Sequence, residues 1–174
     1  CVEFDIKSQE ELAKVCYFGQ SEIKIIYLLD SFKIDSLEDL DKNIIKSLAG
    51  IKEFITPKRS FAVRALIEEN GAYETDEICI EVADSMKLDN KVNLKNPDVI
   101  LFVYIYKDNC YLGIDFSGED LSKREYRIYT HYEALKATKA YALLRGADYC
   151  GTGVMLDPFC GSGTILIEAA ISAK

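Results

Sequence analysis

The chain has 174 residues, 49% of them hydrophobic and 29% charged, with a formal net charge of −8. That length holds one comfortable domain or two small ones, and the apolar share is enough to fill a core. No apolar run approaches the roughly 18 residues of a membrane span and no secretory leader is visible, so a cytoplasmic protein with no membrane partner is expected.

Taken in chain order, Cys1 to Ile6 alternates as a strand would. Ser8 followed by Glu11 spells a capping-box start for a helix to about Tyr17. Ile23 to Leu29 reads as a second apolar strand. Ser36 with Asp39 opens another helix, whose Leu37, Leu40, Ile44, Ile45 and Leu48 follow the 3.6 period. Phe61, Val63 and Ala65 then alternate against Ala62, Arg64 and Leu66, flanked by Lys58, Arg59 and Ser60. Thr75-Asp76 starts a helix with Ile78, Val82 and Met86 on one face. Val99 to Tyr106, Lys107-Asp108-Asn109 and Cys110 to Phe116 read as strand, turn and return strand. Unbroken hydrophobicity in the first of these predicts a central strand covered on both faces.

Charge is uneven. Residues 1–50 carry six basic and ten acidic side chains, residues 51–119 eight and thirteen, and residues 151–174 one and two. Only residues 120–150 are net basic, with six and four, and they group Lys123, Arg124 and Arg127 before Lys136, Lys139 and Arg145. The six cysteines, at 1, 16, 79, 110, 150 and 160, show no C-x-x-C spacing and no histidine partners. Reduced buried thiols are expected, and no metal site.

Near the end, Val154, Met155 and Leu156 suit a buried strand that Asp157-Pro158 terminates. Gly161-Ser162-Gly163 permits a sharp turn, and a mostly buried helix runs from Thr164 through Ile165, Leu166, Ile167, Ala169 and Ala170. An isolated glycine turn often does no more than pack a helix on a strand. No lysine follows Gly163, which excludes a P-loop, and Leu166 stands where a dinucleotide fingerprint needs its third glycine.

The full string D-P-F-C-G-S-G-T-I-L-I-E-A-A is more specific. It resembles motif I of class I S-adenosylmethionine-dependent methyltransferases, in the form used by enzymes that methylate exocyclic amines of nucleic-acid bases. The resemblance implies that Asp157, Pro158, Gly161, Ser162, Gly163 and Thr164 bind the cofactor, with Asp157 facing the polar end of its methionine part. A permuted DNA amino-methyltransferase would carry [DN]-P-P-[YF] upstream. The three prolines, Pro57, Pro97 and Pro158, are never adjacent, so that order fails.

Upstream, S-F-A-V-R, N-L-K-N-P-D-V-I and Y-L-G-I-D-F-S-G resemble a THUMP domain, a module of RNA-modifying enzymes. SGEDLSKREYRIYTHYEAL is similar to the segment joining THUMP to catalytic domain in THUMP-containing RNA methyltransferases. The archaeal tRNA guanine-N2 enzymes are the nearest likeness, followed by the bacterial 23S rRNA guanine-N2 enzymes. Tyr132 and Glu133 stand where such proteins usually have prolines. The PP-loop of a THUMP sulfurtransferase, S-G-G-x-D-S, is not spelled here.

The expected architecture is α+β. A partial ferredoxin-like segment (1–35) precedes a THUMP domain (36–118), a connector and helix (119–150), and the first βα unit of a Rossmann-like class I methyltransferase (151–174). The implied function is the RNA-recognition part of an enzyme that methylates the N2 amine of a guanine, in tRNA, with S-adenosylmethionine. Lys58, Arg59, Arg64, Lys123, Arg124 and Arg127 are the candidate RNA-binding cations, with Tyr126, Tyr129, Tyr132 and Tyr141 available to stack on bases. The plainer reading of the same residues is a solvated helix face with core tyrosines. His131 is expected to be structural.

No catalytic residue is assigned, because neither [ND]-P-P-[YF] nor a ribose-binding acid follows motif I. A chain starting at Cys1 and closing just after such a motif is expected to be a piece of a longer one, inactive alone. The alternatives are a stand-alone RNA-binding module, or a subunit completed by another chain. The strand at 154–156 and the helix at 165–173 are expected to be mobile, or to pack on another copy or chain.

Overall fold

Caps and alternating apolar residues set the elements of the computed structural model, which describes residues 2–128 and 134–173. In chain order these are α1 (Gln9–Phe18), β1 (Ile26–Lys33), α2 (Leu37–Phe54), β2 (Phe61–Glu68), α3 (Thr75–Met86), β3 (Val99–Tyr106), β4 (Asn109–Asp115), α4 (Ala137–Gly146) and α5 (Thr164–Ser172). They fall into two units, residues 26–118 and the paired segments 1–25 and 119–174.

In the first unit the four strands form one sheet in the order β1-β4-β3-β2, with β2 and β3 parallel and the other pairs antiparallel. Helices α2 and α3 cover one face. The Ser36 hydroxyl accepts from the Asp39 amide at 3.2 Å, so α2 starts where the sequence signals. The core is Leu40, Ile44 and Ile51 of α2 and Ile78, Val82 and Met86 of α3, packed on Leu101, Val103, Ile105, Cys110 and Leu112. Burial pushes the Cys110 thiol up to about 12, so it remains a neutral packing group.

Several sequence expectations need correction. Ile45 is 58% exposed, because the buried stripe of α2 passes through Leu40, Ile44, Leu48 and Ile51 and leaves its neighbour a helical step outside. On β3 one face is fully buried, whereas on the other only Phe102 is buried and Ile100, Tyr104 and Tyr106 are partly covered. Residues 2–6 form no strand, with Val2 and Phe4 exposed, since alternation makes a strand only where a partner ladder exists. The apolar strand expected at 23–29 begins three residues later and ends at Lys33, where pairing with β4 carries it on.

In the second unit the Ser8 hydroxyl accepts from the Glu11 amide at 3.2 Å and starts α1. Helices α4 and α5 pack together, burying Ala137, Ala140, Leu144 and Ala169. No described helix is long and apolar enough to cross a membrane.

Candidate cofactor turn and its supporting carboxylate

The glycine turn is built from short-range bonds. The Phe159 amide donates to the Asp157 carboxylate at 3.1 Å and the Gly163 amide to the Cys160 carbonyl at 2.7 Å. Gly161 and Gly163 have φ of 51° and 71°, a region that side chains with a Cβ adopt at a cost. Gly163 is the N-cap of α5, and the Ser162 and Thr164 hydroxyls lie 3.0 Å apart at its first turn. The turn therefore exposes its backbone at Gly161 and Ser162 and leads directly into the amides of a helix start. Asp157, Pro158, Gly161, Ser162, Gly163 and Thr164 are all brought together in it.

The preceding strand is not formed. Val154, Leu156 and Phe159 are almost wholly exposed, and residues 154–156 pair with nothing among the described residues. An extended segment becomes a strand only through a ladder partner. Met155 and Val154 instead line an open apolar groove of about 420 Å³ with Leu143, Ala147, Tyr149 and Ile165.

Helix α5, expected to lack a platform, is anchored from inside. Glu168 is wholly buried in it. Its carboxylate accepts from Gln20 Nε2 at 2.8 Å, Tyr126 Oη at 2.7 Å, and Arg124 Nε at 3.1 Å and Nη2 at 3.4 Å. Arg124 also donates to the carbonyls of Leu121 at 2.5 Å and Gln20 at 2.7 Å. One carboxylate thus ties the helix behind the glycine turn to residue 20 and to residues 121–126. The buried charge is tolerable because a cation and two neutral donors satisfy it together.

Burial, and then the hydrogen bond to Glu168, push the Tyr126 phenol up to about 12. The unfolded chain would ionise this phenol near 10, so the folded state holds the proton more tightly. Its contribution is complete below pH 10 and is lost as pH rises from 10 to 12. Alkaline unfolding followed by far-ultraviolet circular dichroism should show this loss, and Tyr126→Phe should flatten that part of the profile. An unchanged profile in the variant would exclude Tyr126 from the pH response.

Arg124 and Tyr126, candidates for RNA contact in the sequence, are engaged within the fold: the guanidinium and the phenol both donate to Glu168. Arg127 is also partly drawn in, donating from Nη2 to the Leu135 carbonyl. Lys123, Lys136, Lys139 and Arg145 are exposed. Tyr129, His131 and Tyr132 lie outside the described residues. Among the described residues no cluster of His, Cys, Asp or Glu is placed to hold a metal ion.

Comparison with known proteins places both halves. Residues 35–115 match the THUMP domain, and residues 124–174 match the RMKL-like methyltransferase domain. The chain joins a THUMP domain to methyltransferase-domain sequence of the RMKL-like family. A tRNA (guanine(6)-N2)-methyltransferase of Archaeoglobus fulgidus is 32% identical over 168 residues, covering 91% of this chain and 42% of the relative. The enzyme of the same name from Methanocaldococcus jannaschii is 34% identical over 176 residues, covering 94% and 45%. The crystal structure of TrmN from Thermus thermophilus matches with a TM-score of 0.72 at 26% identity, covering 99% of this chain and 51% of that one. The chain therefore spans less than half the length of both curated relatives.

In the THUMP domain Lys58, Arg59 and Arg64 are all exposed. Lys58 and Arg59 precede β2, where Arg59 Nη1 donates to the Phe54 carbonyl at 3.4 Å. Arg64 lies on the sheet face away from α2 and α3 and donates from Nη2 to the Leu94 carbonyl at 2.5 Å. The sequence reading missed Glu168, in the methyltransferase segment, and its partner Gln20. The signal available was one acid inside an otherwise apolar helix, which a soluble fold must either expose or pair.

Proposed function

We propose that this chain is the RNA-recognising and cofactor-turn-bearing part of an S-adenosylmethionine-dependent methyltransferase acting on the N2 amine of a guanine in tRNA. The observation that carries the reading is one chain in which a THUMP domain is followed by D-P-F-C-G-S-G-T turning into α5. The names of the two archaeal relatives supply the tRNA and guanine-N2 part. A cytoplasmic location goes with such a substrate. The working division is the THUMP domain to residue 118, a connector and helix over 119–150, and the opening of the catalytic domain over 151–174.

The residues of the turn fit the cofactor. Two left-handed glycines expose their backbone, and a Cβ built on either would meet nothing nearer than 3.9 Å, so the chain conformation, not bulk, requires glycine there. Asp157 at the mouth suits an ammonium group, and the α5 amides suit a carboxylate, which are the two poles of an amino-acid end. Bound there, S-adenosylmethionine would supply an electrophilic methyl group. The chain's own part is to hold and orient: Gly161 to Gly163 shape the cradle, Thr164 fixes the helix start, and Glu168 holds the helix in place. The 174 residues contain no [ND]-P-P-[YF] to align a target amine, so they alone are proposed not to transfer methyl groups.

The test uses the native protein, purified from its own cells at whatever length it has there, with labelled cofactor and unmodified tRNA transcripts. Digestion and mass spectrometry should show N2-methylguanosine, and the 174-residue chain alone should bind tRNA without forming it. No methylated guanosine with the native protein would overturn the methyltransferase reading.

A further inference from the structure

The THUMP domain is electrically polarised along its strands. Residues 51–119 contain eight basic side chains, and six of them, Lys58, Arg59, Arg64, Lys87, Lys91 and Lys95, fall within two short stretches, 58–64 and 87–95. Because β2 and β3 are parallel, the segments leading into them lie at the same end of the sheet. They are laced together there. The Phe61 amide donates to the Lys91 carbonyl at 3.0 Å and the Asn93 amide to the Phe61 carbonyl at 2.9 Å. Asn90 Nδ2 donates to the carbonyls of Thr56 at 2.7 Å and Arg59 at 2.9 Å. Ser60 donates from its amide and hydroxyl to Asp98 at 2.7 and 2.6 Å. Apart from the Asp98 carboxylate, these bonds use backbone and uncharged groups, and Arg59 and Arg64 themselves donate only to main-chain carbonyls. The six cations keep their charge unopposed: all are exposed, and none is ion-paired among the described residues.

Of the two acids in the same lacing, Asp98 is engaged by Ser60 and only Asp89 stands by itself in sequence beside the lysines. The opposite end of the sheet, about 26 Å away along eight-residue strands, carries Glu68, Glu69 and Asp108 against Lys33 and Lys107, and Lys107 is paired with Glu69 at 3.5 Å. Tyr104 and Tyr106 donate there to Glu68 and Glu69 at 2.7 and 3.3 Å. A net-acidic domain thus concentrates its positive charge at one end, which steers a polyanion to that end and away from the other.

We infer that the laced end of the THUMP sheet, formed by residues 56–64 and 87–98, is a phosphate-contacting surface for RNA, with Lys87, Lys91 and Lys95 as contacts alongside Lys58, Arg59 and Arg64. It rests on the reading of RNA as the partner. The one aromatic side chain within 56–64 and 87–98 is Phe61, which is buried in the core, so the contact is to the sugar–phosphate backbone rather than by base stacking. Binding through this end is therefore tolerant of sequence and steep in salt.

The test compares two charge-matched triple variants of the chain: Lys87→Glu, Lys91→Glu, Lys95→Glu at the laced end, and Lys33→Glu, Lys42→Glu, Lys107→Glu at the other. Unmodified tRNA transcript is the probe, titrated at several salt concentrations, with thermal melting to show that each variant folds. The laced-end variant should bind at least about tenfold more weakly, with a salt slope shallower by about 3, one for each lysine. The far-end variant should bind within about twofold of wild type. Equal weakening by both variants would reduce the effect to net charge and overturn the surface. Unchanged binding by the laced-end variant, with wild type binding normally, would overturn the surface and leave the RNA reading standing. No binding by wild type would overturn both.

Discussion

Glu168→Leu is expected to destabilise the unit that carries the glycine turn by about 3–5 kcal/mol, the usual cost of removing one partner from a buried ion pair. The substitution is close in volume and suits an apolar helix, so packing alone predicts a small effect. The loss comes from what remains: the Arg124 side chain is only 14% exposed and would have no carboxylate, and Gln20 and Tyr126 would lose their acceptor. Glu168→Gln should recover only part, because an amide offers one acceptor oxygen and turns a donor toward other donors. Adding Arg124→Met to Glu168→Leu should restore stability relative to the single change, since the orphaned cation disappears with the anion. Hydrogen exchange resolved along the chain is the measurement, because it separates this unit from the THUMP domain. Faster exchange should be confined to this unit, in α5, α4 and the segments around Gln20 and residues 121–126. A cost below about 1 kcal/mol for Glu168→Leu, or loss spread evenly over both units, would show that the carboxylate does not hold this unit together.

The same residue marks where the sequence stopped being legible. The caps at Ser8 and Ser36, the faces of α2 and α3, the β3–β4 hairpin and the glycine turn are written within a few residues of one another. Local spacing therefore disclosed them, and the THUMP and methyltransferase motifs located both halves. Glu168 finds partners 42, 44 and 148 residues away, a juxtaposition that no local pattern contains. Arg124 was read as an outward cation for the same reason. Its neighbours Lys123 and Arg127 made a basic cluster on paper, while the fold sends Lys123 to water and Arg124 into a carboxylate. Val154 to Leu156 and Val2 to Ile6 failed in the other direction, since both have strand composition without a ladder to join. Lys87, Lys91 and Lys95 were visible one by one. Only the parallel pairing of β2 and β3 brings them beside Lys58 and Arg59.

Gly113→Ala is expected to cost about 3 kcal/mol, at the upper end of what one added methyl does in a packed interior, and Gly113→Val more. Gly113 is buried in β4, an interior strand, opposite Leu28 of β1 and Phe102 of β3. A Cβ there would lie 2.4 Å from the Tyr27 carbonyl oxygen and 2.5 Å from Ile26 Cγ2. The first of these is backbone, so no rotamer change relieves it and the β1 strand itself must move. It can move little, because the register of β1 against β4 already shifts between Leu28 and Asp30, and Tyr27 is held by rings on both sides. Its centroid is 5.6 Å from that of Phe54 and 6.2 Å from that of Phe116, which are themselves 6.1 Å apart edge to face. A displaced Tyr27 carbonyl would weaken the ladder and disturb this trio together, so the two losses are coupled rather than independent. A glycine within a strand pattern often signals such a close backbone approach, and Y-L-G-I-D carries that signal openly. Gly71→Ala is the control: nothing lies within 4 Å of a Cβ at that position, and the change should stay within about 0.5 kcal/mol of wild type. Thermal unfolding of the two variants side by side decides the matter. A Gly113→Ala protein as stable as the Gly71→Ala protein would mean that β1 is free to shift away from β4, and that the aromatic trio does not fix the edge of the THUMP sheet.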